Sequence, residues 1–208
     1  MADSQITKNA IAESLKKLTK TKPFDKITVS DIASTCGINR QTFYYHFEDK
    51  YELLSWIYYK DAFAPIMDKI TFDNWDSKLA DLFAVMKDNQ SFYTNTIKYT
   101  DDYFQEYIIK MAETIFEEVI DTLDEDRLLG SDDRTLFARF YAYGVYGTVN
   151  EWVVKGMKIP PSKLASYMKR LAVSTERVGY IRVTTGESQD MFPPIQALTN
   201  PDIQDPSQ

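Results

Sequence analysis

The sequence is poor in the side chains that most chemistry requires. It has one cysteine and one histidine in 208 residues. A lone Cys36 excludes an internal disulfide and is expected of a protein in a reducing cytosol. With His46 as the only imidazole, no His/Cys cluster can hold a transition metal, so no metal and no cofactor is expected. A Cys36–His46 dyad requires two residues that both fall in a stretch better suited to another task. The acidic groups Asp101-Asp102 and Asp124-Glu125-Asp126 read as loop and cap residues. No phosphate loop or GxGxxG is present. No apolar run reaches about 18 residues, so no membrane-spanning helix is expected. The N-terminus, MADSQITKNAIAESLKK, lacks the basic-then-apolar pattern of a signal segment. Before residue 180 there is no strand-like alternation with hairpin turns, and no internal repeat. An enzyme is not expected.

Basic charge is also short, with 24 Lys/Arg against 31 Asp/Glu. The shortage is uneven. Residues 1–60 hold nine basic and seven acidic residues, whereas 61–208 hold 15 and 24. The excess acid therefore lies outside the N-terminal part, which keeps nucleic-acid binding there open on a modest positive footprint. Hydrophobic residues make up 44% of the chain, enough to build a proper core in one or two domains.

The most informative stretch is 27–50, ITVSDIASTCGINRQTFYYHFEDK. Thr28 to Asp31 has the spacing of a capping box and predicts a helix from Val29 to Cys36, with Ile32 and Ala33 inward. Gly37 suits the left-handed residue that ends a helix. Asn39 is a cap for a second helix, Arg40 to about Phe47. Phe43 and Phe47 are four apart and share its inward face. Gln41 and Tyr45 point the other way, flanked by Arg40 and Tyr44. Such an outward face carries side chains that reach base edges and phosphates. Helix, glycine turn and second helix together read as a helix-turn-helix.

Ile27-Thr28-Val29, Asp31-Ile32-Ala33, Gly37-Ile38, Thr42-Phe43-Tyr44, His46-Phe47 and Lys50 resemble the DNA-binding domain of TetR-type regulators over residues 6–60. Within that family, NRQTFYYHFEDKYELLSWIY looks most like the branch that regulates dihydroxyacetone kinase. The resemblance implies an all-α fold: an N-terminal three-helix helix-turn-helix domain at 1–60, and a helical regulatory and dimerisation domain at 61–178. A Pro-rich acidic tail occupies 179–208. It further implies a homodimer on double-stranded palindromic DNA, acting as repressor or activator under an effector or a partner protein. On this reading Arg40, Gln41 and Tyr45 read bases. Thr28, Thr42, Tyr44 and Lys50 contact phosphate, and His46 is structural or lies on the phosphate side. A helical protein–protein adaptor that has lost DNA binding is the alternative.

The rest of the chain reads as helices. Ile6 to about Thr19 carries a stripe of Ile6, Ala10, Ile11, Ser14, Leu15 and Leu18. Phe24 and Ile27 are expected to return to the core. A longer helix starts at Lys50 and should kink or end at Pro65. Further helices are expected at about 75–88, 91–99, 103–121, 133–156 and 161–177. Phe140, Gly144, Gly147, Trp152, Leu164 and Met168 are the candidate dimer contacts, since small residues let helices approach and large ones fill the rest; intrachain packing is the alternative. Tyr93, Tyr99, Tyr103, Phe104, Tyr107, Tyr141 and Tyr143 are the candidate lining of an effector pocket. Disorder is the expectation for the tail.

Overall fold

The computed structural model describes residues 2–68, 74–100, 102–124 and 130–171. The tail from 179 onward and the end of the 161–177 helix lie outside them. Among the described residues every regular element is helical. Helix α1 is Ala2–Leu18, α2 Val29–Cys36, α3 Arg40–His46 and α4 Lys50–Tyr58. A π turn, Tyr59–Phe63, joins α4 to the short α5, Ala64–Met67. Then come α6 Trp75–Asp88, α7 Gln90–Tyr99, α8 Asp102–Leu123 and α9 Ser131–Val154. A last helix, α10, covers 161–171. Residues up to Ser166 form one compact unit.

The first helices pack around Ile11, Leu15, Phe24, Ile27, Ile32, Phe43, Phe47, Leu53 and Leu54, all essentially inaccessible to solvent. Phe24 reaches this core from a 3-10 turn, Phe24–Lys26, after Pro23. The stripe expected on α1 is shifted. Ile6 is 65% exposed and Ala10 is exposed, while Ala12 is buried beside Ile11 and Leu15.

The helix from Lys50 was expected to run to Pro65 and yield there. It yields one turn earlier. Pro65 has no N–H to give, so the ladder must lose a bond below it. The backbone widens instead, with the Ala64 N–H bonding to Tyr59 O, five residues back, and the helix passes through the proline to Met67. A π turn of this kind is a common way to absorb a break in the ladder.

The second core is aromatic. Tyr58 from α4 meets Phe92, Tyr93 and Phe104 with ring centroids 5.9, 5.1 and 4.9 Å away. Helices α8 and α9 lie along one another. Glu113 on α8, 3% exposed, is paired to Arg139 on α9 at 3.3 Å and to Lys110 at 3.1 Å. Arg134 pairs with Asp121 and, at 2.9 Å, with Asp124. α9 ends in a left-handed Gly156 with φ 81°, and the Met157 N–H closes the turn on Trp152 O at 2.8 Å.

Candidate nucleic-acid interface and the cavity behind it

Helix α3 is held by its ends and by two phenyl rings. At its start the Asn39 carboxamide oxygen accepts from the Thr42 N–H at 2.8 Å and from the Thr42 hydroxyl at 3.1 Å. Before it, Gly37 is left-handed at φ 73°, and the Ile38 N–H reaches back to Ala33 O at 3.0 Å. This fixes the angle between α2 and α3. Phe43 is 0% and Phe47 2% exposed. Phe47 in turn packs on Trp56 at 5.7 Å and lies under the Lys8 ammonium at 5.1 Å. Burying one such ring contributes roughly 1.5–3 kcal/mol, which a seven-residue helix cannot obtain from its own backbone.

The opposite face is bare. Arg40 and Gln41 are exposed, Tyr44 is 54% exposed and Tyr45 83%. None of the four makes a side-chain hydrogen bond among the described residues. His46 is half-buried, edge-on to Tyr45 at 5.0 Å.

Three of the expected phosphate contacts are occupied internally. Thr28 and Asp31 form a full capping box. The Thr28 hydroxyl accepts from the Asp31 N–H at 3.2 Å and donates to the Asp31 carboxylate at 2.8 Å, which also accepts from the Thr28 N–H at 2.8 Å. Lys22 adds an ion pair at 2.7 Å. The Lys22 ammonium and the two Thr28 donors hold the Asp31 carboxyl down from 3.8 to about 2. Thr42 spends its hydroxyl proton on Asn39. Lys50 is the clearest case. Its ammonium donates to Phe24 O at 2.9 Å, Asp25 O at 3.1 Å and Ile27 O at 2.9 Å, and sits 4.7 Å above the Phe24 ring. An ammonium has three N–H bonds, and all three are used. Burial lowers its pKa, against the pull of Asp25 and Asp49. Lys50 thus ties the start of α4 to the 3-10 turn. A contact from Lys50 to phosphate would require its ammonium to leave these carbonyls.

Two further residues join this head to the helices behind it; neither stood out in the sequence. Asn95 on α7 accepts from the Phe24 N–H at 2.8 Å and donates to Thr19 O at 2.7 Å and Lys22 O at 2.9 Å. Asp61 on the π turn pairs with Lys16 on α1 at 2.7 Å. Burial alone would lower the Lys16 ammonium, but Asp61 and Glu13 together outweigh it and leave its pKa raised. A polar residue within an amphipathic helix gives no sequence signal of such a long-range partner.

Behind the head, a cavity of about 130 Å³ lies between α4, the π turn, α6, α7, α8 and α9. Tyr93 and Phe104 line it. Tyr99, Tyr107, Tyr141 and Tyr143 do not. Tyr107 stacks on Phe104 at 5.9 Å from outside, Tyr141 stacks on Phe116 at 5.6 Å, and Tyr99 and Tyr143 are 37% and 55% exposed. The Tyr103 side chain lies outside the described residues. Tyr58, Ala62, Ile97 and Tyr146 line the cavity too.

The candidate dimer contacts divide. Phe140 is 73% exposed on α9. Gly144 and Gly147 lie on the same face with open space where a Cβ would stand. Trp152 is buried, its indole N–H bonded to Ile159 O at 2.9 Å and its ring 5.6 Å from Phe83. Leu164 is buried as well, and Met168 half-buried. Trp152 and Leu164 are therefore packed within the chain, Trp152 against Phe83 of α6 and Leu164 from α10. No helix among the described residues is long and apolar enough to cross a membrane, and no described cluster of His, Cys, Asp and Glu has the makings of a metal site.

The sequence patterns of two known families match the chain: bacterial regulatory proteins of the tetR family over residues 11–56, and a transcriptional regulator C-terminal region over residues 73–174. The HTH-type dhaKLM operon transcriptional activator DhaS of Lactococcus lactis subsp. lactis (strain IL1403) is 30% identical over 180 residues, covering 86% of this chain and 95% of that protein. A solved dihydroxyacetone kinase operon activator DhaS superposes with a TM-score of 0.66 at 28% identity, over 83% of this chain and 97% of the other. NalD of Pseudomonas aeruginosa, a secondary repressor of the MexAB-OprM efflux pump, shares the fold, with a TM-score of 0.56 at 18% identity over 79% and 92% of the two chains.

Proposed function

Because this chain belongs to the TetR family of bacterial transcriptional regulators and is DhaS-like, we propose that it binds a two-fold symmetric operator as a homodimer through α3. The observation that carries this is the division of that helix, with Phe43 and Phe47 buried and Arg40, Gln41, Tyr44 and Tyr45 turned outward with no side-chain hydrogen bonds among the described residues. An arginine and an amide on a rigid helix are the side chains that pair bidentately with guanine and adenine in the major groove. Arg40, Gln41 and Tyr45 read bases, and Tyr44 positions the backbone. Thr28 and Thr42 offer phosphate only an acceptor oxygen, so their part is to fix the helix ends. His46 orients Tyr45. The head covers residues 1–60 and the regulatory body 61–178.

Dimerisation is proposed through the open face of α9, where Leu136, Phe140, Gly144, Gly147 and Val154 recur at helical spacing and face solvent. Each glycine inside a helix costs about 1 kcal/mol against alanine, and close approach of a second copy offsets that cost. Control is proposed to reach the head along α4, whose far end and π turn line the cavity. Whether the outcome is activation, as named for DhaS, or repression, as named for NalD, depends on the operator's position, which fragment selection from the source genome would reveal.

Binding-site selection on random duplex tests the reading. Gln41→Ala is expected to change the preferred base at one position in each half-site, by about 1–3 kcal/mol. Tyr44→Phe is expected to weaken all sequences alike. Equal loss of preference from both sinks the assignment, and no duplex binding at low salt favours the adaptor alternative.

A further inference from the structure

Helix α1 ends at Leu18, and the chain then passes through Pro23 into the 3-10 turn Phe24–Lys26. That turn cannot cap itself. Pro23 stands at the cap position and has no polar side chain to close on the first N–H. The Phe24 N–H is met instead by Asn95 of α7, 71 residues further on, at 2.8 Å. The same carboxamide spends both its N–H bonds on the chain before the turn, Thr19 O at 2.7 Å and Lys22 O at 2.9 Å. On the other side Lys50 of α4 holds Phe24 O, Asp25 O and Ile27 O. The turn is thus gripped between α7 and α4. It runs on through Ile27 into Thr28, the cap of α2, and α2 sets α3 through Gly37. Two other ties reach the head from behind, Lys16 to Asp61 at 2.7 Å and Lys60 to Asn9 at 2.7 Å. Both hang on a lysine, whose stem is long and flexible, and salt weakens the ion pair. Asparagine is short and its amide uncharged.

We propose that Asn95 is a positioning residue for operator recognition: it fixes the angle at which the head presents α3, and so sets the half-site spacing that the dimer accepts. This rests on the proposed two-fold operator. Adjacent half-sites lie about 34–36 Å apart, and one added base pair moves a half-site by roughly 3.4 Å. A fixed head rejects such a step, whereas a head free to tilt accepts it. Arg40, Gln41 and Tyr45 keep their face of α3 either way, so base preference and spacing separate.

The test uses the full chain. Wild-type selection on random duplex supplies the half-site, which is then built into duplexes with the selected spacer and with one base pair added or removed. Misplacing a half-site costs at least as much as a mismatched base pair, so the wild type should prefer its own spacer at least about tenfold. In Asn95→Ala, assayed well below its unfolding temperature, that preference is expected to fall to about threefold or less, with the half-site bases unchanged. Phe83→Leu, which trims a buried ring in α6, should lose stability and keep the spacer preference. In the wild type without DNA, the Phe24 N–H should resist hydrogen exchange. An unaltered spacer preference in Asn95→Ala, an equal loss in Phe83→Leu, or exchange of the Phe24 N–H at the free-chain rate overturns the proposal, the last whether or not Asn95→Ala folds. A wild type that selects no paired half-sites sinks the operator reading and this inference with it. Paired half-sites with an indifferent Asn95→Ala sink this inference alone.

Discussion

Lys50 shows how one side chain can look ready for a ligand and be used inside. Its three carbonyl partners belong to the 3-10 turn that carries Phe24 and Ile27 into the core. Lys50→Ala is therefore expected to lower stability by about 1–3 kcal/mol, measured by urea unfolding, with no change in the salt dependence of DNA binding. A slope reduced by about one would put the ammonium on phosphate instead. Asp31 makes a pH-dependent counterpart. Its carboxyl is held at about 2, below its ordinary 3.8, by Lys22 and Thr28. A depressed carboxylate stabilises the fold fully above the unfolded value and loses that contribution as pH falls through the folded one. Thermal stability should thus decline between about pH 4 and pH 2, and Asp31→Asn should flatten that segment. The pair is about a third exposed, so the decline should be shallow and diminish with salt.

Helix ends were legible because their signals are local. Thr28, Gly37 and Asn39 each mark a boundary through bonds to residues three or four away, and spacing alone reveals them. The π turn was not legible. Pro65 announces a break, but whether the chain stops or widens depends on what α1 and α7 supply nearby. Asp61 is fixed there by Lys16, and Tyr58 by Thr96. Asn95 belongs to the same group of cross-helix ties. Asn95→Ala leaves the Phe24 N–H and two carbonyls without their partner. A loss of about 2–4 kcal/mol is expected in urea unfolding. A change below about half a kcal/mol would mean that water replaces the amide at no cost.

The molecule as a whole places two surfaces at its disposal, the outward face of α3 and the open face of α9. A stripe holding Leu136 at 61% and Phe140 at 73% exposure is unusual on a stable monomer. Phe140→Glu is expected to raise the dimer dissociation constant at least about tenfold, read by sedimentation. A wild-type chain that sediments as a monomer at roughly micromolar concentration removes the dimer from the account. Trp152 carries the same aromatic signature and lies inside, so it serves as the internal control: its loss should cost stability before it costs association.

The order of the helices, their caps and the two faces of α3 follow from residue spacing, since each is set by contacts within a few residues of chain. The Tet-type head was recognisable for the same reason. Which aromatics meet a void, which lysine is already engaged and which end of α9 is covered were set by packing between helices far apart in the chain. Tyr93 and Tyr143 look alike on a helical wheel, yet one is sealed in a cavity wall and the other faces water. A helix's own period fixes which residues share a face, but the neighbours that fold against it fix what that face meets.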